Sequence, residues 1–378
     1  MYEVFRIIDN FRITGRGMIY TIEICNGTII NIGDILVDLC GNHFKVKGVE
    51  MPKRIPDGKS VGDMQIGLFF EMSDGVEVSG KILVRNLGEI NFLFCNHPLY
   101  QRTVDEDYKE EYQIAKCNHP CALFSYEDLE LGKLSLYGER ISGLTIYRGW
   151  MMNPDMYAVF YSLLEEQGIV LINTPEEYRR YHTLPEWYSD FVGETAESVW
   201  ESEGKIENVL EMSKDLEGAY IVKDYVKSRK HEWYDACFIK NIACKEDTEK
   251  IVRNFIECQG SSLVGGVVLR KFKKLKQIGF HERSGMPISE EYRVFIYAGK
   301  IMIIDGYWAE CKNVNISNDE RLWIEKIARK ITSNFVTVDL ARKDDGRLII
   351  MELGDGQVSG LQQIKPDDFY EVFRVYGD

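Results

Sequence analysis

Residues 335–362, FVTVDLARKDDGRLIIMELGDGQVSGLQ, constrain this chain more than any other stretch. Val336, Val338 and Leu340 alternate with Thr337, Asp339 and Ala341, Asp345-Gly346 supplies a tight turn, and Leu348-Ile349-Ile350-Met351 returns. That pattern predicts a β-hairpin. It puts Asp339 and Glu352 near facing ends of two paired strands, beside a loop, Gly354-Asp355-Gly356-Gln357, flexible enough to approach a ligand closely. Two carboxylates held this close repel unless a cation lies between them, and oxygen-only ligands that leave positions open to phosphate suit magnesium. A solvated hairpin with surface acids fits the same residues, and the pattern alone does not separate the two readings.

A basic run forms the second informative element. In YIVKDYVKSRKHEW (220–233), Lys223 ends a strand and Lys227, Ser228 and Lys230 follow within seven residues. Lysines on a strand and its following loop make a point-charge cradle for a triphosphate, and Ser228 adds a hydrogen-bond donor. His231 and Trp233 fall on the same loop. Lysines also blunt exposed strand edges, so the run reads equally as a solvated edge.

Taken together, these segments resemble the ATP-grasp fold. In that fold an Asp on one strand and a Glu on the next hold the metals bridging ATP phosphates, which Asp339 and Glu352 match. Many members continue as Glu-x-Asn; here Gly354 holds the Asn position, and Asp355 or Gln357 is the expected replacement ligand. Lys223 matches the family's phosphate-binding lysine. GGVVLRKF (265–272) matches the strand leading to the adenine hinge, so backbone groups of Val268, Leu269 and Arg270 are expected to read the adenine edge. Lys271 stands where many members carry the ribose-binding Glu. Arg293, in EEYRVFIY, matches the arginine aimed at the transferred phosphoryl group, and pairing with Glu290 or Glu291 is its alternative. Arg148 is expected to face the triphosphate or an anionic substrate, or else to cap a helix end.

A narrower resemblance is to a branch of ATP-grasp proteins found in phages and bacteria. It rests on Arg148-Gly149-Trp150-Met151, Thr174 to Tyr178, and VKDYVKSRKHEW, and its motifs run through nearly all of 90–375. The resemblance implies ATP and magnesium as cofactors and a ligase that joins a carboxylate to an amine or similar nucleophile through an acyl phosphate. The rival readings are an ATP-binding scaffold without catalysis and a kinase acting on a hydroxyl. Neither the acyl donor nor the acceptor is legible.

Residues 1–88 differ in kind. Short strands punctuated by glycine turns imply a closed β-barrel. Gly15-Arg16-Gly17, the run from Gly27 to Asp34, and Gly67-Leu68 make this segment resemble the second domain of elongation factor Tu. That resemblance implies a docking module, with a tRNA acceptor end or a translation component as partner. The formal charge of −14 confines any such contact to local patches such as Lys45, Lys47, Lys53 and Arg54. The chain has no Gly-x-x-x-x-Gly-Lys-Ser/Thr motif, which removes a P-loop GTPase.

At 378 residues the chain exceeds what one core usually serves. The expected class is α+β and α/β: a barrel over 1–88, an α/β domain over 89–215, and an ATP-grasp domain over 216–378 with antiparallel sheets sandwiching ATP. In 154–167 the spacing predicts a helix with Met156, Val159, Phe160 and Leu163 on its buried face. Thr174 caps the next helix, and 196–202 and 205–214 also read as helical. No stretch of about twenty apolar residues is present, so no membrane span is expected. Nine cysteines point to reduced thiols in a cytoplasmic chain. Cys95-Asn96-His97 and Cys117-Asn118-His119, with Cys121, offer zinc-ligand chemistry at tighter spacing than usual, so buried thiols are the favoured reading.

Overall fold

Six strands close the N-terminal barrel. They are β1 (Glu3–Ile13), β2 (Gly17–Ile24), β3 (Ile35–Asp38), β4 (His43–Glu50), β5 (Met64–Glu71) and β6 (Ile82–Arg85), in the order β1-β2-β5-β4-β3-β6. In β4, Phe44 and Val46 point inward while His43, Lys45 and Lys47 point out, the two-residue period of a strand with one wet face. Phe5, Ile22, Leu36, Leu68 and Leu83 complete the interior. The computed structural model describes residues 3–14, 17–24, 29–50, 64–71, 76–85, 89–280, 286–311 and 313–373. Gly15, Arg16 and Gly27 of the elongation-factor resemblance, and Lys53 and Arg54 of the expected basic patch, lie outside them. Lys45 is paired with Glu71 at 3.2 Å.

The barrel is not a separate bead. Leu39, Ile82 and Val84 share one apolar cluster with Phe92, Phe295, Phe335 and Phe369 from the rest of the chain. Arg6 on β1 donates to the carbonyls of Leu171 and Ile172, and the Lys81 N–H donates to Asn334 Oδ1 at 2.7 Å. Gly80, at φ 75°, makes this approach feasible: a Cβ there would sit 3.0 Å from Asn334 Oδ1 and 3.1 Å from Ala298 Cβ.

Strands β7 (Asn91–His97), β8 (Tyr100–Val104), β9 (Cys121–Phe124), β10 (Leu136–Gly138), β11 (Gly143–Arg148) and β12 (Ile169–Leu171) form the middle sheet, ordered β10-β9-β7-β11-β12 with β8 against β7. The β9-β7-β11-β12 pairings are parallel, which requires crossovers. Helix Pro154–Glu165 is one, capped by Asn153 accepting from the Met156 N–H at 2.8 Å. Its buried face is Tyr157, Phe160 and Leu164, not the expected Met156, Val159 and Leu163; Val159 is 45% exposed. Both frames share Phe160. Tyr157 wins because its ring stacks on Tyr178 at 4.0 Å while its hydroxyl donates to the Asn173 carbonyl, so the aromatic body is buried with its polar tip satisfied. Thr174 makes the expected cap, with Glu177 completing a capping box.

Two antiparallel sheets follow. The first contains β13 (Ser198–Glu201), β14 (Tyr220–Asp224), β15 (Phe238–Ile239) and β16 (Val267–Lys271) in the order β13-β16-β14-β15. After a hairpin of β17 (Gln277–Phe280) and β18 (Pro287–Ser289), β19 (Glu291–Tyr297), β20 (Lys300–Gly306), β21 (Phe335–Arg342) and β22 (Leu348–Asp355) form the second, ordered β20-β19-β21-β22. The expected helix at 196–202 is therefore strand β13: tertiary pairing with β16 overrides local preference. A boundary at 215 would cut this sheet, since β13 lies before it and β14 after it. Helix Pro366–Glu371 returns to the middle sheet, seating Phe369, Tyr370 and nearby Phe373 beside Phe92. Among the described residues no helix is long and apolar enough to cross a membrane.

Candidate active site

Between the two antiparallel sheets lies a cavity of about 360 Å³, within the range of small-molecule sites. Ile221, Lys223, Arg270, Lys271 and Phe272 line it from one sheet, and Glu291, Asp339, Met351 and Glu352 from the other. Lys223 reaches it because Asp224 ends β14. Asp224 Oδ1 accepts from the Val226 and Lys227 N–H groups and Oδ2 from Gln259 Nε2, which turns the chain sharply. That turn brings Ser228 opposite Lys223 and puts Ser228 and Lys230 on the cavity wall.

Asp339 and Glu352 are direct partners across β21 and β22. The register shifts between Asp339 and Leu340, so Met351 is an extra residue in β22, a bulge that re-aims Glu352 toward the cavity. Each acid meets a base. Lys223 Nζ donates to Glu352 Oε1 at 2.7 Å, and Arg293 grips both Asp339 oxygens at 2.8 and 2.7 Å while stacking 4.9 Å over the Tyr307 ring. Burial pushes the Glu352 carboxyl up, but Lys223 and Lys230 outweigh it and hold the group below its ordinary value. For Lys230 burial pulls down and Glu291, Tyr307 and Glu352 pull harder upward, so it stays charged. Arg270 donates from Nη2 to Thr195 Oγ1 and the Ile350 carbonyl, while its buried Nη1 has no partner. Burial lowers its pKa to about 10.

Residues 211–372 match a family model described as an ATP-grasp domain, the third family of its clade. The chain carries an ATP-grasp domain. Among solved structures it is similar to D-alanyl-alanine synthetase A from Vibrio cholerae, at 11% identity over 76% of this chain and 98% of that one, with a TM-score of 0.50. It is also similar to a RimK domain protein from Sphaerobacter thermophilus (13% identity, 76% and 100% covered, TM-score 0.48). A third is the ATP-grasp ligase PsnB, solved with the precursor peptide PsnA2 and AMPPNP (12%, 76% and 97%, 0.46). At such identities the likeness is one of fold. No curated protein sequence matches.

Several expected ligands of this ATP-grasp domain are placed elsewhere. Asp355 faces away from the cavity: Oδ2 accepts from Asn173 Nδ2 at 2.6 Å, and Oδ1 from the Gln357 N–H and side chain. Gln357 is fully buried against Tyr147 and Tyr157. Neither replaces the family's Asn. The Asn position itself is closed, because a Cβ on Gly354 would stand 3.0 Å from Thr337 Oγ1 and 3.1 Å from Ser359 Oγ. Arg148 is also buried, gripping Glu111 and the carbonyls of Gly356 and Ser359, so it braces the loop after β22 and does not line the cavity. Lys227 is exposed and turned out by the Asp224 turn. Val268 and Leu269 sit in a strand paired on both sides, leaving their backbone groups committed to the sheet. The cavity is lined instead by Lys271–Lys274, past the strand end. The Cys and His motifs are apart: Cys95 meets Tyr147, while His119 meets the Tyr370 carbonyl.

Four contributors escaped the sequence reading. Glu291 is two residues before Arg293, on the same strand face, and pattern alone marks it as facing the cavity. Tyr307, Trp308 and His182 carry no such signal. His182, stacked on Tyr178 at 4.7 Å, has its pKa lowered to about 4, mainly by burial, with Lys227 and Lys223 adding to the effect against Glu352. Its folded value lies below the ordinary 6.5, so its contribution to stability is present above pH 6.5 and is lost as pH falls through about 4. His182→Phe keeps the stack and removes the titration. The melting temperature of the variant should therefore decline less than wild type across that window, and parallel pH profiles would refute this.

Proposed function

We propose that this protein is an ATP-dependent ligase that activates a carboxylate as an acyl phosphate and joins it to an amine or a similar nucleophile. The observation that carries this reading is the cross-strand pair Asp339 and Glu352, facing one cavity with Lys223, Lys230, Arg270 and Arg293 around it. The donor set fits magnesium. It is oxygen-only, and among the described residues no three His, Cys, Asp or Glu groups form a closed metal cage, so phosphate oxygens and water would complete the shell. Bound there, the metal would neutralise phosphate charge.

The chain's own residues would divide the remaining work. Lys223 and Lys230 hold phosphate oxygens, and the unpartnered Nη1 of Arg270 supplies a further donor. Arg293 exchanges one Asp339 contact for the migrating phosphoryl group. Ile221 and Met351 pack on the two faces of the base, and backbone groups past β16 read its edge. A substrate carboxylate oxygen attacks the γ-phosphorus as the bond to ADP breaks. The nucleophile then attacks the acyl carbon, and phosphate leaves. Such transfer relies mainly on alignment and charge neutralisation. The barrel is proposed as a docking element for the substrate-bearing partner. For a tRNA end or translation component, Lys47 is the exposed cation next to the neutralised Lys45.

Magnesium with ATP should stabilise the protein by about 2.7 kcal/mol at a hundredfold excess over Kd, read as a rise in melting temperature, and GTP should do little. Folded protein that shows no shift at millimolar Mg-ATP would overturn the assignment. Arg270→Met should weaken nucleotide binding by roughly 10- to 100-fold, the loss expected for a hydrogen bond to a charged group. Isothermal titration checks it, and unchanged affinity would remove Arg270 from the phosphate site.

A further inference from the structure

Strand β20 is the outer strand of its sheet, and among the described residues no strand lies on its far side. Its two faces are covered: Met302 and Ile303 pack on the cluster shared with the barrel, and Ile301 and Ile304 on the cluster beneath helix Asn318–Lys330. What stays open is the edge, a row of main-chain donors and acceptors. The register shift opposite Phe295 and Ile296 leaves 303–306 as its regular run.

Cavities open at both ends of this edge. At its start, Lys300 and Ile301 line a groove of about 990 Å³ between the barrel, the hairpin tip Ala298-Gly299 and helix Asn318–Lys330. At its end the chain passes from Gly306 into Tyr307 and Trp308, which line the catalytic cavity. The groove is basic although the chain carries −14. Lys81, Lys300, Arg321 and Arg329 line it against Glu77 and Glu325. Glu77 is already paired with Arg12, and Glu325 is shared by Arg321 and Arg329 at 3.9 and 3.8 Å. Both arginine side chains are more than half exposed. On the groove wall Ser333, 3% exposed, holds a hydroxyl without a partner.

We propose that this groove and the open edge of β20 form a docking track for an extended acidic peptide. Its carboxylates seat against Lys300, Arg321 and Arg329, its main chain adds a strand to β20, and its next residues reach the catalytic cavity. Seven residues of strand span roughly 23 Å, so the occupant is extended. An oligonucleotide would satisfy the arginines but has no amide ladder to continue the sheet. Presentation of a carboxylate to the cavity rests on the ligase reading above; binding along the track does not.

The test uses the full chain and a fluorescein-labelled ten-residue peptide of alternating Glu and Val, followed by anisotropy. The expected result is binding that weakens with salt and falls by roughly tenfold or more in Arg321→Glu/Arg329→Glu, with the Mg-ATP thermal shift unchanged. The same peptide N-methylated at alternate residues keeps its charge and should also bind at least tenfold more weakly, because it cannot join the edge. A Lys-Val peptide or a ten-nucleotide RNA binding as tightly would overturn the proposal, as would unchanged affinity in the double variant or for the methylated peptide. Loss of the Mg-ATP shift in wild type with peptide binding intact would sink the ligase reading and leave the track standing.

Discussion

Glu352→Gln should cut ADP formation by roughly 100-fold or more, the several kcal/mol that metal-held charge contributes to such a transfer, while the protein melts close to wild type. The amide keeps the volume and an acceptor for Lys223, and the Glu352 side chain is already 40% exposed toward the cavity. Asp339→Asn should be equally inactive but not equally stable. Asp339 is 6% exposed and takes two bonds from Arg293, itself 7% exposed, so the change strands a buried guanidinium. Breaking a buried pair from one side costs about 3–5 kcal/mol. Calorimetry beside a coupled ADP assay separates the two variants. Turnover at the parental rate in either would place the metal elsewhere, and equal melting would mean that the Arg293–Asp339 pair is not what holds β19 to β21.

Removal of residues 1–88 should be the most damaging change of all. Sequence alone suggests a detachable barrel, and a chain starting at Glu89 would then fold and still bind ATP. The structure argues otherwise, because Leu39, Ile82 and Val84 are buried in a cluster that also holds Phe295 and Phe335. Exposing three such side chains forfeits about 1.5–3 kcal/mol each, and the Leu171, Ile172 and Asn334 acceptors lose their donors. That total approaches the roughly 5–15 kcal/mol that holds a typical domain together. The truncated chain should be insoluble or lack a cooperative melting transition. A soluble truncation with the parental nucleotide shift would show that the barrel is an independent module after all.

What the sequence made legible was whatever depends on local spacing. The hairpin at 335–362 shows through strand alternation and one Asp-Gly turn, and its two acids face each other as expected. The glycine-punctuated strands of 1–88 announce a barrel. The misses share a physical cause, which is that the deciding partner lies far along the chain. Asp355 reads as a flexible-loop ligand until Asn173 claims its carboxylate. Arg148 reads as a phosphate ligand until Glu111 and the 356–359 carbonyls surround it. Residues 196–202 read as a helix until β16 supplies a ladder. The bulge at Met351 has no local signature, yet it aims Glu352.

The cluster that joins Leu39, Ile82 and Val84 to Phe295, Phe335 and Phe369 also sets a timetable. Its first members leave the ribosome long before its last. At about 5–20 residues per second, roughly 15–60 s separate the end of the barrel from the arrival of the closing C-terminal helix. Through that interval the barrel presents an apolar flank with nothing to cover it, and the strands that will cover it include the acid-bearing β21. Nascent chains of this protein should therefore depend on holdase chaperones in proportion to how slowly the second half is translated, and the catalytic sheet and the barrel should become protease-resistant together.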